Sequence, residues 1–190
     1  MGKEEEISKT LGDSCKNCPL RKFNTYVSPQ LNKDAKVLFV GEAPGKNEIK
    51  EGIPFVGWAG KMLRGVIDKL GIPYSITNTV KCRPPDNDGN NRSPTLEEVR
   101  CCFDKVVSEV SQYNFIVLLG KVAIKAFFPN VDKIFDVAGE IKEKNGKRFL
   151  CVYHPSRMRY VSPAIRAQWI RDLSKVKDMV EGDMLNKAEC

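Results

Sequence analysis

Four short runs, Lys36–Val40, Ile76–Val80, Phe115–Leu119 and Phe149–Tyr153, constrain this chain more than any other feature of it. They are apolar without regular alternation, the pattern of strands buried on both faces. Segments of helical periodicity lie between them. In Ala59–Leu70 the residues Met62, Leu63, Val66, Ile67 and Leu70 share one face, and Gly71 supplies a C-terminal stop. A second helix is predicted from the cap at Ser93-Pro94, with Leu96, Val99, Phe103, Val106 and Val110 inward. A short helix follows Gly120. The last starts at Ser162-Pro163, carries Ile165, Trp169, Leu173, Val176 and Val180, and stops near Gly182, leaving 182–190 as a frayed tail. Strands alternating with helices predict an α/β fold, a parallel sheet covered on both faces.

Each predicted strand runs into a chemically loaded segment: GEAPG, NTVKCRPP, LGK and YHPSRM. Open parallel sheets bind ligands outside the carboxyl ends of their strands, so these four segments are expected to share one site. Composition narrows what that site could meet. A chain of 190 residues makes one domain of ordinary size, expected to span residues 1–190. No run approaches a membrane span, and the polar MGKEEEISKT start is unlike a secretory signal; a cytoplasmic protein with no membrane partner is expected. A formal charge of +7 favours a polyanionic partner. Seven cysteines, an odd number in a chain without a secretion signal, point away from a disulfide framework and towards metal ligation.

The candidate residues each admit a plain reading as well as a functional one. Cys15-x-x-Cys18 is a two-ligand knuckle, with Cys82, Cys101 and Cys102 as distant partners; thiolates of this kind hold zinc or an iron–sulfur cluster, or pack as small hydrophobes. Cys151 lies inside an apolar strand and reads as core; Cys190 lies in the tail. Phe55, in a glycine-rich loop, could stack on a flat base or pack on the core. Asn78 ends a strand with one acceptor and two donors, enough to read a nucleobase edge or to cap a turn. His154 is the only histidine, at a strand's carboxyl end, followed by Arg157, Met158 and Arg159: a basic loop suited to phosphate with a possible wedge, or simply a solvated loop.

Taken together and in order, GEAPGKNEIKEGIPFVGWAGKML, TNTVKCRPP, NRSP, VLLG and YHPS resemble the uracil-DNA glycosylase superfamily, above all its family-4, iron–sulfur type. The resemblance runs from Cys15 to about Tyr160. It implies a three-layer α/β/α fold around a central four-stranded parallel sheet. It implies a [4Fe–4S] cluster, with zinc the alternative, held by Cys15, Cys18, Cys82 and Cys102, which would tie the N-terminal segment 1–34 to the core. The implied activity is monofunctional: hydrolysis of the N-glycosidic bond of uracil in DNA, single- or double-stranded, leaving an abasic site, by a monomer. Glu42 and Glu48 would orient water and stabilise the developing sugar cation, and His154 would donate to the base carbonyl. Gly41, Ala43, Phe55 and Asn78 would bind the base once it has left the stack. Met158 would fill the gap, with Arg157 and Arg159 on phosphate. Two departures stand out. Ile49 occupies the place where the family often has a second acid, and KCRPPDNDGNNRSP is a few residues longer than the usual motif. With its one histidine already in HPS, the chain has none left for the covalent sugar trap of some superfamily members.

Overall fold

The computed structural model describes residues 15–188, with side chains through 182. The N-terminal acidic stretch and Cys190 therefore lie outside the described residues. Five strands form the sheet: β1 (Val37–Gly41), β2 (Tyr74–Asn78), β3 (Phe115–Leu119), β4 (Ile141–Lys144) and β5 (Lys147–Val152). Their order is β2-β1-β3-β5-β4, with β2, β1, β3 and β5 parallel and β4 antiparallel on the edge. The four predicted parallel strands are all present. The fifth corrects the four-stranded expectation, and its signal was in the sequence: Asn145-Gly146 both adopt positive φ, 52° and 71°, as a two-residue hairpin turn requires. β4 stays on the edge because it is short and mostly solvated, whereas each parallel strand is buried over most of its length.

Among the described residues there are five α-helices: α1 (Lys46–Glu51), α2 (Trp58–Ile67), α3 (Leu96–Ser111), α4 (Lys121–Phe127) and α5 (Pro163–Ala188). Alternation along the strands sorts the core into two layers. Val37, Phe39, Val117, Leu119, Leu150 and Val152 pack with Leu63 and Ile67 of α2 and Trp169, Leu173 and Val176 of α5. Leu38, Val40, Ile116, Leu118, Phe149 and Cys151 face Val106 and Val110 of α3 and Ala123, Ile124 and Phe127 of α4. Cys151 is thus a core residue, as expected.

Several boundaries differ from expectation. β2 begins two residues earlier, at Tyr74, because it pairs with Val37, and it ends at Asn78. The α3 cap is Thr95, not Ser93: its hydroxyl accepts the Glu98 amide at 3.3 Å while Glu98 accepts the Thr95 amide at 2.8 Å. Finally, α5 passes through Gly182 to Ala188, so the predicted stop is not used; a lone glycine costs a helix only about 1 kcal/mol.

Candidate active site

The carboxyl ends of the parallel strands open onto a cleft of about 720 Å³. Glu42, Ala43, Glu48, Phe55, Asn78, His154 and Arg159 all line it. Gly41 lies just behind. A Cβ there would collide with the Phe55 ring and stand 2.5 Å from Asn78 Oδ1, so the missing side chain is what lets these two groups meet. Phe55 is buried and takes φ 58°, a conformation rare outside glycine. It is held from α2: Arg64 Nε donates to the Phe55 carbonyl at 3.1 Å, its Nη2 donates to the Pro54 carbonyl at 3.0 Å, and Gly60 lets the helix press against the Phe55 backbone.

Asn78 is buried at the end of β2, with its side chain at the cleft. The turn after it stitches the first two strand ends together. Thr79 N–H donates to the Gly41 carbonyl at 2.8 Å, and Val80 N–H to the Glu42 carbonyl at 2.9 Å. Lys81, 2% exposed, folds back so that Nζ donates to the Asn78 carbonyl at 2.9 Å, to Thr77 Oγ1, and to Glu109 Oε2 at 2.6 Å.

The two acids differ in circumstance. Glu48 accepts three backbone N–H groups, from Gly45 at 3.1 Å, Val56 at 3.2 Å and Gly57 at 2.9 Å, closing the glycine-rich loop across α1. Glu42 is half-buried; burial pushes its carboxyl above the ordinary carboxylate range, and a hydrogen bond with Ser93 partly opposes this. His154 caps the 3₁₀ turn Pro155–Arg159. Its Nδ1 accepts the Ser156 amide at 3.3 Å and lies 2.8 Å from the Ser156 hydroxyl, which leaves the proton on Nε2. Burial pulls its pKa down to about 4, with Glu48 opposing, so the ring is neutral. Its centroid stands 6.1 Å from that of Phe55. Gly120, at the end of β3 with φ +91°, makes the space: a Cβ there would lie 2.7 Å from His154 Cβ.

The arginine loop differs from expectation. Met158 is fully buried in the core, and its carbonyl accepts from Arg166 at 3.2 and 2.7 Å. A side chain so placed cannot enter a base stack unless the turn unpacks. Arg157 lies 4.4 Å over the Tyr153 ring, outside the cleft lining, and Arg159 lies 5.7 Å over Trp58. Sequence reasoning missed Trp58, Asn90, Asn91, Ser93 and Tyr160, which also line the cleft. Two of these come from the longer loop: Arg83 Nε donates to Asn91 Oδ1 and its Nη2 to the Gly89 carbonyl, both at 2.5 Å, folding that loop inward. Only the extra length hinted at this.

Behind the Asn78 turn the cysteines gather. Cys102 is buried, receives the Lys81 N–H and lies within electrostatic reach of Cys15 and Cys18. The Cys82 thiol is pushed up to about 12, first by burial and then by Cys102, Cys18 and Cys15. Cys101 hydrogen-bonds Cys18 and also lies within electrostatic reach of Cys102. All of these are free thiols. Among the described residues, no three His, Cys, Asp or Glu side chains are close enough to share a single metal ion.

The fold and the cleft define a three-layer α/β protein with an open cleft at the carboxyl edge of its sheet. The uracil DNA glycosylase superfamily profile matches residues 28–174. The type-4 uracil-DNA glycosylase of Archaeoglobus fulgidus is 38% identical over 87% of this chain and 88% of its own length. Those of Sulfurisphaera tokodaii and Thermotoga maritima are each 36% identical, covering 93% and 95% of this chain and 82% and 98% of theirs. The chain belongs to the uracil-DNA glycosylase superfamily.

Proposed function

We propose that this chain is a DNA repair glycosylase that hydrolyses the N-glycosidic bond of uracil and leaves an abasic site. The convergence of Phe55, Asn78, His154 and Glu42 on one cleft carries the proposal. The flipped base stacks on Phe55, and the Asn78 amide pairs with its edge. As the C1′–N1 bond breaks, its electron pair passes to the base. The Nε2–H of neutral His154 donates to the carbonyl where that charge collects. Glu42, as carboxylate, faces the sugar cation, orients the water whose oxygen bonds to C1′ and takes up the proton that water releases; Glu48, engaged by three amides, keeps the loop in shape.

Cys15, Cys18, Cys82 and Cys102 would hold a [4Fe–4S] cluster. The donor set fits: four soft thiols lie within electrostatic reach of one another, with the Lys81 amide on Cys102. Bound, it would tie the Cys15–Cys18 segment to α3 and the Asn78 turn, contributing stability rather than a chemical step.

The test is incubation with a uracil-containing oligonucleotide, then alkali to cut at abasic sites. Cleavage by the wild-type chain, lost in Asn78→Asp or Glu42→Gln, is the expected result. A folded protein that leaves uracil in place refutes the reading. Broad visible absorbance with stoichiometric iron and sulfide is expected of the purified protein, and bound zinc instead would refute the cluster.

A further inference from the structure

Two aromatic side chains at the mouth of the cleft take no part in the chemistry above. Trp58, the first residue of α2, is 41% exposed, and Tyr160, which ends the 3₁₀ turn after His154, is 82% exposed; both line the cleft. Arg159 lies over the Trp58 ring, and Arg157 is exposed on the same turn. The turn's two aliphatic side chains, Pro155 and Met158, are both buried. What the turn shows to solvent is therefore Ser156, two arginines and Tyr160.

We propose that this rim is a stacking platform for single-stranded DNA: Trp58 and Tyr160 stack on bases flanking the one in the cleft, and Arg157 and Arg159 take the intervening phosphates. The proposal rests on the excision reading and adds the form of DNA the site accepts. In a duplex the flanking bases are already stacked and paired, and opening it calls for an apolar wedge. The buried Met158 cannot supply one. In a single strand every base offers a free face, and a basic groove with aromatic platforms suits it. Tyr160 acting as a duplex wedge is the rival arrangement.

Fluorescence tests this without catalysis. Of the chain's two tryptophans, Trp169 is 1% exposed, so quenching by oligo(dT) without uracil reports Trp58. Oligo(dT) is expected to quench and to bind more tightly than a duplex of equal length at equal salt. Tyr160→Ala should weaken that binding about tenfold, with Tyr160→Phe restoring it. Uracil should leave a single strand faster than a duplex, and Trp58→Ala should slow it there. Tighter duplex binding, unchanged oligo(dT) binding in Tyr160→Ala, or an excision loss in Tyr160→Ala confined to duplex would overturn the proposal. If oligo(dT) binds as expected but uracil stays in both DNAs, the excision reading fails and the platform stands. Excision without the binding pattern means the reverse.

Discussion

Gly41 and His154 show how single positions govern this site. With no room for a methyl group at Gly41, Gly41→Ala must displace Phe55 or Asn78. Uracil excision is expected to fall at least about 10²-fold, since ~1 Å of misplacement costs that much, while thermal unfolding of the variant shows a folded protein. The sign of the pH dependence follows from two shifts in opposite directions. His154, held neutral with a pKa of about 4, stays a donor throughout the range above that value. Glu42, raised by burial, must lose its proton to work, so activity should rise with pH through its raised pKa. In rate profiles, His154→Gln should lower the plateau and leave the acid limb in place. A limb that moves in this variant would assign it to His154 instead. The same histidine stabilises the fold most above its ordinary pKa of ~6.5, and that contribution is lost as pH falls towards about 4.

At the scale of elements, α2 and the Asn78 turn do the positioning. Arg64 reaches from α2 to the carbonyls of Pro54 and Phe55, and also to Tyr74 Oη at 3.0 Å and Gln30 Oε1 at 2.7 Å. Arg64→Met should free the loop holding Phe55 in its left-handed conformation. We expect KM for a uracil oligonucleotide to rise and kcat to fall, with Arg64→Lys recovering only part, as one ammonium cannot replace a fork of donors. An unchanged KM would show the loop holds its own shape. Much of this was legible beforehand. The four parallel strands, the apolar face of α2 and the start of α5 at Pro163 follow from periodicity and capping residues. The Thr95 cap was missed because Ser93-Pro94 offers a competing signal, and only the reciprocal pairing of Thr95 with buried Glu98, itself held by Arg92 at 2.8 Å, decides between them.

For the whole molecule, the ion pair of buried Lys81 with half-buried Glu109, 2.6 Å apart, joins α3 to the turn that carries Asn78 and Cys82. Burial lowers the Lys81 pKa against the pull of Glu109. Glu109→Gln would leave a buried ammonium without its counter-charge, and chemical denaturation should report a loss of about 3–5 kcal/mol. Loss below ~1 kcal/mol would mean that Thr77 and the Asn78 carbonyl suffice. By itself the sequence determined the α/β class, the edge on which a site must lie, and the residue types placed there: period, strand order along the chain and the chemistry of strand-end motifs are local properties. Only tertiary structure decided which of those residues face the cleft. Met158 turned inward, Glu48 was taken up by three amides, Cys101 met Cys18, and Trp58 and Tyr160 came to the rim. The physical reason is that a side chain's burial depends on neighbours distant in the chain, and a motif of consecutive residues carries no information about what will pack against it.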